Sequence, residues 1–320
     1  MPKLIVIICT HNPRQAFLDE TLAALRAQTI SPAQWEFLVV DNASKEPLAS
    51  RFDFSWHPRA RIVREDTLGT AHARLRALRE ADASDADLLL FVDDDNILAK
   101  DYIAQGLALE AAWPQLGCWG GQLLPRYETP PPSWLENYKK LLAICPLSAP
   151  MWTNKVYSYD VVPPTAGGFL RRVVWQKYLQ LVEEQPLRLT LGAKGEDQVR
   201  GEDTDLVLAA IDVGLGVGRF PELSLEHIMP SGRISVAYME NLIAGVALGT
   251  ALLEYLRHRR RPEPVSKNWL QAALIKRRAS RLPEPIGTFY RAELRGRAKA
   301  EHIINGWARS GAGKSSATAG

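Results

Sequence analysis

At 320 residues the chain exceeds the usual single-domain size and can bury a large core, so one main α/β domain with a smaller attached element is expected. A formal net charge of +3 and a pI near 8.7 are too mild for a dedicated nucleic-acid binder, but they leave room for local basic patches. Three cysteines, Cys9, Cys118 and Cys145, without paired spacing argue against a disulfide framework or a zinc site and for a reducing, cytoplasmic setting.

Residues 4–9 are predicted as the first core strand. The run is too short for a signal peptide, and the polar Thr10-His11-Asn12-Pro13-Arg14 follows at once without a small-residue cleavage pattern. A helix with Leu18, Leu22 and Leu25 on one face comes next. It leads to a second strand at 37–40 ending at Asp41-Asn42, a short third strand at 61–64, and a helix after Gly69 carrying Ala71, Leu75 and Leu78. The apolar run 88–92 reads as a buried parallel strand, so three consecutive acids, Asp93, Asp94 and Asp95, emerge at its carboxyl end, where open α/β sheets bind ligands. Like charges packed this tightly repel unless a cation lies among them. Hard oxygen ligands without nearby histidine or cysteine suit Mg²⁺ or Mn²⁺.

Beyond the acids, 102–113 reads as a helix stopped by Pro114, and 117–124 as a strand in which Gly120-Gly121 marks a bulge or close approach. The stretch 125–164, rich in proline, tryptophan and tyrosine, is long for a plain connection and reads as a binding loop or insertion. Helical pattern returns at 171–182 and 205–213. Residues 214–218 read as a glycine turn entering a strand rather than a dinucleotide fingerprint. From Ser235 the chain becomes helix-rich and basic. Its apolar segment 242–253 is well short of the roughly 20 residues that cross a bilayer. The clusters 257–261 and 276–278 admit two readings, solvated helix ends or docking to an anionic membrane surface. Residues 309–320 are expected to be a disordered tail, whose Gly313-Lys314-Ser315 lacks the earlier glycine of a phosphate loop.

Four polar constellations fall at the ends of these elements: 10–14, 41–44, the acids 93–95 with Asn96, and Gly201-Glu202-Asp203-Thr204-Asp205. Each has a bland reading as a cap, a turn or an acidic helix start. As an ordered set, though, the segments 7–12, 39–44, 69–74, 91–96, 167–169 and 201–205 resemble the nucleotide-sugar-dependent glycosyltransferases of family 2. The resemblance covers about the first two thirds of the chain.

That resemblance implies a GT-A fold, an α/β architecture with a Rossmann-like, doubly wound and mainly parallel central sheet, here followed by a helical C-terminal extension. It implies a catalytic domain over 1–233, with a nucleotide-sugar half at about 1–124 and an acceptor half at about 125–233, then a basic helical region at 234–308. Thr10, Asn12 and Arg14 would line the nucleotide pocket, Asp41 would accept from the base, and Arg74, after the small residues from Gly69, would reach the nucleotide. Asp95 would ligate Mn²⁺ or Mg²⁺, Asp93 would contact ribose or the metal's water shell, and Asp94 would touch the donor sugar. Asp203 would be the base of an inverting transfer and Glu202 would orient the acceptor. Gly168 would allow a close approach to the sugar. His227 is expected to add a metal ligand and Arg233 to pair with a phosphate, a structural histidine being the alternative for His227.

The donor would be a nucleoside-diphosphate sugar, uridine-linked by preference. The acceptor would be a glycan or lipid-linked glycan in cell-surface polysaccharide synthesis, with Trp134, Tyr138 and Trp152 either stacking on a sugar or filling a core. Peripheral contact with the inner membrane face through the basic C-terminal region is the associated expectation, and nucleic acid is not an expected partner. The competing readings are a catalytically silent nucleotide-sugar-binding or scaffold protein, and a sugar nucleotidyltransferase. The latter should carry glycine in the loop after strand one, where this chain has Thr10-His11-Asn12-Pro13-Arg14.

Overall fold

The computed structural model describes residues 3–156, 158–195 and 198–310. In chain order the strands are β1 (Leu4–Thr10), β2 (Trp35–Asn42), β3 (Ala60–Glu65), β4 (Leu88–Val92), β5 (Asn96–Leu98), β6 (Leu116–Tyr127), β7 (Met151–Thr153), β8 (Phe169–Arg171) and β9 (Gly216–Met229). The helices are α1 (Gln15–Arg26), α2 (Thr70–Ala83), α3 (Tyr102–Ala112), α4 (Arg172–Glu184), α5 (Glu202–Asp212), α6 (Val236–His258), α7 (Trp269–Arg281) and α8 (Ile286–Ser310).

The strands form one sheet in the order β3-β2-β1-β4-β8-β6-β9-β5, with β7 paired to β9. The pairs β1–β2, β1–β4, β2–β3 and β6–β9 are parallel, whereas β8 runs antiparallel to both β4 and β6. Burial explains the strand compositions. The central β1 and β4 are buried almost throughout and read as unbroken aliphatic runs, while β3, at the edge, exposes Arg61 and Arg64. On one face Leu4, Val6 and Ile8 join Leu18, Leu22 and Leu25 of α1 in a single apolar cluster, each such side chain contributing about 1.5–3 kcal/mol by leaving water.

The chain divides into two compact units. The first contains 1–128, 142–180 and 203–229, and therefore the whole sheet; the second contains 129–141, 181–202 and 230–320. In the second unit α6 starts at Ser235, whose side chain accepts the Tyr238 N–H, and ends at Arg259 in the left-handed region. Its Leu248, Leu252 and Leu256 cluster with Ala300 and Ile304 of α8. Gly296 lets the two helices close up, since a Cβ there would lie 2.2 Å from the Ala244 carbonyl oxygen.

Two expectations are corrected here. The apolar segment 242–253 belongs to a helix of 23 residues, because its pattern continues through Glu240 and Glu254. By length and composition α6 could cross a membrane, yet 44% of its most apolar window is buried within the protein. The second concerns the tail: α8 continues to Ser310, so Arg309 is helical, and the rest of the expected disordered tail lies outside the described residues.

Candidate active site

The sheet reverses its winding at β1. The chain leaves β1 for β2 and β3 on one side and returns across it, through α2, to β4 on the other. At such a reversal the loops after neighbouring strands diverge and open a crevice at their carboxyl ends. Here the crevice is bridged, because the Thr10 hydroxyl at the end of β1 donates to the Asp94 carboxylate after β4.

The loops after β1 and β2 are laced together. Asn12, at φ +47, donates its N–H to Ser44 Oγ at 2.9 Å and accepts the Lys45 N–H on Oδ1 at 2.9 Å. The His11 Nδ1 lies 2.7 Å from the Asn42 carbonyl. Asp41 is buried, and both its carboxylate oxygens have donors: the Ser44 N–H at 3.0 Å on Oδ1 and Arg64 Nη1 at 3.1 Å on Oδ2. Asn42 donates to the carbonyls of Glu65 and Thr67 and accepts the N–H of Gly69, the N-cap residue just before α2. Short polar side chains thus fix the entry of α2, and with it Arg74, whose guanidinium carbon lies 5.9 Å from the Phe91 ring centroid.

The three acids are not equivalent. Asp93 and Asp94 are partly exposed, whereas Asp95 is 4% exposed. Asn96 holds the turn by accepting the Asp93 N–H at 3.1 Å and donating to Asp95 Oδ1 at 3.2 Å. It then starts β5, which pairs antiparallel with β9 and sets Asn96 opposite His227, while the Ile228 N–H donates to the Asp95 carbonyl at 2.9 Å. This register brings the His227 Nε2, on a ring as buried as Asp95, to 3.5 Å from Asp95 Oδ1. The partly buried Cys9 thiol beneath the acids is pushed up to about 12, chiefly by burial. Arg74 opposes the shift and Asp93 and Asp94 add to it, so all three charges are felt at the end of β1.

Backbone pairing brings the 167–168 loop beside the same strand end. Gly167 donates its N–H to the Phe91 carbonyl at 2.8 Å, and Phe91 donates to the Gly168 carbonyl at 3.0 Å. Gly167 has φ +72, and a Cβ there would lie 2.3 Å from the Tyr102 hydroxyl, which donates to the Gly167 carbonyl. Glycine is required here by packing within the protein, whatever approaches from outside.

Thr10, Asn12, Asp41, Gly69, Arg74, Asp93, Asp94, Asp95, Gly168 and His227 therefore belong to one region of the first unit. Arg14 caps α1 at its edge, with Nη1 3.3 Å from Glu128 and its guanidinium over the Phe17 ring. Asp203 is the second residue of α5 and accepts the Thr204 N–H at 2.8 Å. Glu202, buried at the first position of α5, and Arg233, in the turn Ser231–Ile234, fall in the second unit. Trp134 and Tyr138 pack edge-on against Phe289 in the second unit, ring centroids 5.2 and 4.9 Å apart, so core filling accounts for both. Trp152 is 46% exposed. Arg64 was missed from the sequence. Its signal was positional, since Asp41 and Arg64 are Cα partners across the β2–β3 ladder.

Among the described residues no group of three or more His, Cys, Asp or Glu side chains forms a protein-only metal cage. Asp95 and His227 still suit a divalent cation of the kind that takes one or two protein ligands and completes its shell with phosphate oxygens and water.

Comparison with known proteins bears on this arrangement. The family model described as glycosyl transferase family 2 matches residues 5–142. A curated relative, validoxylamine A glucosyltransferase of Streptomyces hygroscopicus subsp. limoneus, is 36% identical over 126 residues, which are 37% of this chain and 27% of that protein. The chain thus spans about a quarter of the length of that relative. Among solved structures, S. aureus TarS 1-349 in complex with UDP-GlcNAc superposes with a TM-score of 0.52 at 13% identity, covering 97% of this chain and 92% of that one. A longer S. aureus TarS structure gives 0.52 at 13% identity, over 94% of this chain and 55% of the other. At that identity the likeness speaks for the fold, and it bears out the expected α/β architecture with its mostly parallel central sheet and C-terminal helices.

Proposed function

We propose, from the match of residues 5–142 to the family model described as glycosyl transferase family 2, that this chain transfers a sugar from a nucleoside-diphosphate sugar to an acceptor hydroxyl with inversion at the anomeric carbon. The observation that carries the reading is the Asp95–His227 pair, 3.5 Å apart, beside the Thr10–Asp94 bridge at the reversal of the sheet.

The nucleotide enters the crevice between the ends of β1 and β4. The laced loops 10–14 and 41–44 receive the base, for which Asp41 offers a fixed acceptor, and Asp93 faces the ribose. Arg74 and the start of α2 lie on the phosphate side, where positive charge and the helix amino terminus favour an anion. Asp94 and the Gly168 loop border the donor sugar. Asp95 and His227 would hold Mn²⁺ or Mg²⁺, which when bound supplies Lewis-acid stabilisation of the charge growing on the leaving diphosphate.

Transfer is a single displacement. The acceptor oxygen forms its bond to the anomeric carbon as the bond from that carbon to the diphosphate oxygen breaks, and the diphosphate leaves with the electron pair. Asp203, at the start of α5, takes the acceptor's proton. Glu202, orienting the acceptor, and Arg233, pairing with a phosphate oxygen, complete the assignment on the strength of the sequence resemblance alone.

We take uridine diphosphate as the donor nucleotide and a glycan or lipid-linked glycan of cell-surface polysaccharide as the acceptor. Binding of a panel of uridine, thymidine and guanosine diphosphate sugars, measured with and without Mn²⁺, tests the donor reading. Metal-enhanced binding of at least one sugar nucleotide is expected, and no binding of any of them would refute it.

A further inference from the structure

We propose that α7 is an interfacial helix that docks this chain onto an anionic phospholipid surface, through an outward stripe of Leu270, Leu274, Arg277 and Arg281 led by Trp269. The inference concerns the second unit alone and is independent of the donor chemistry.

The three most exposed large apolar side chains among the described residues all lie on this one helix: Trp269 at 76%, Leu274 at 65% and Leu270 at 56%. Only Ala279 is buried and only Ile275 partly so, leaving the rest of α7 in solvent. Spacings of four, three and four residues place 270, 274, 277 and 281 along one side of a helix. The stripe is apolar in its first half and cationic in its second. The helix also holds its own start: Asn268 Oδ1 accepts the Gln271 N–H at 2.9 Å, and Gln271 Oε1 accepts the Lys267 N–H at 2.8 Å. Arg278 folds back over the Tyr290 ring at 5.4 Å, whereas Arg277 and Arg281 are exposed on the outward side.

Charge selects the occupant. From Arg257 to Arg281 there are nine lysines and arginines against one acid, Glu263, and α7 itself contains no acid. A second copy of the chain would bring this cationic stripe against itself, and the buried centre of a protein interface is depleted in charge. A phospholipid surface takes both halves at once. The leucines enter between headgroups, the indole rests at the boundary, and the arginine stems reach phosphates while their guanidinium groups stay hydrated. Each cation held close to an anionic leaflet strengthens binding about fivefold. At 13 residues α7 is too short to span a bilayer and would lie along its surface.

Co-sedimentation of the full chain with phosphatidylcholine vesicles, with and without phosphatidylglycerol and at low and high salt, tests this. Leu270→Ser/Leu274→Ser and Arg277→Glu/Arg281→Glu are compared with the parent, and melting curves confirm that both fold. The parent is expected to bind the anionic vesicles at least about tenfold more tightly than the neutral ones and to weaken with salt, and each double variant is expected to lose at least about tenfold. Equal binding to both vesicle types would overturn the proposal. So would undiminished binding by either double variant, or a parent dimer that Leu270→Ser/Leu274→Ser dissociates.

Discussion

Arg64 and Asp41 face each other across the β2–β3 ladder, with Nη1 3.1 Å from Oδ2. An exposed arginine thereby fixes a buried carboxylate at the mouth of the crevice, and the same guanidinium also donates to the Ser44 carbonyl. Arg64→Met should remove these bonds while keeping the stem. The guanidinium is half-exposed and screened by water, so only a small loss of stability is expected. Donor affinity should fall about 5–10-fold with little change in kcat, since the defect lies in binding. Steady-state kinetics and urea unfolding check both parts; a change in kcat alone would show that Arg64 acts elsewhere.

His227 is the second prediction. Its ring is buried beside Asp95 through the β5–β9 register, and its proposed role is to hold a cation jointly with that acid. His227→Ala should weaken Mn²⁺-dependent donor binding by about 10-fold or more, in the range usual for losing a supporting group at a metal site, and leave metal-free binding nearly unchanged. Calorimetric titration with and without Mn²⁺ reads this directly. An unaltered metal dependence would return His227 to a structural role.

Gly167 tests the packing beside the acids. With φ +72 and a Cβ position 2.3 Å from the Tyr102 hydroxyl, Gly167→Ala combines backbone strain with overpacking, at a cost of about 3 kcal/mol. Thermal unfolding should show a clear drop in Tm. A melting temperature like the parent's would mean that the loop relaxes away from Tyr102.

Stability should depend on pH through His57. Its ring lies 4.3 Å from that of Trp35, and its Nδ1 accepts the Arg59 N–H. Burial, with the charge of Arg59 second, lowers its pKa from 6.5 to about 4. Because the folded value lies below the unfolded one, the unfolded chain takes up the proton first. The stabilisation is complete above about pH 6.5, is lost as pH falls towards about 4, and changes no further below that. A shift of this size corresponds to about 3 kcal/mol. Urea unfolding of the parent and His57→Phe across this range should give a smaller acid-side loss for the variant, and equal losses would remove His57 as the cause.

The parts of the fold legible in the sequence are those with strong local signals. The run 88–92 matches β4 at both ends, because a strand buried on both faces is aliphatic throughout and charge begins where burial stops. The three-residue strands β5, β7 and β8 are too short to carry a period. The length of β9 was hidden by Pro221 and by the irregular pairing with β6 between Gly120 and Gln122, and α6 was cut short by Glu240 and Glu254. Within the site, each loop was visible as a polar cluster after an apolar run. The pairings Asp41 with Arg64 and Asp95 with His227 were not, since each depends on strand register over a long sequence separation.

Donor binding and transfer measured side by side on Asp95→Ala and Asp203→Asn test the proposed division of labour most directly. Asp95→Ala is expected to lose metal-dependent donor binding, whereas Asp203→Asn should bind donor like the parent and lose transfer by about 100-fold or more, as for removal of a general base. Normal turnover by Asp203→Asn, or full metal-dependent binding by Asp95→Ala, would contradict it.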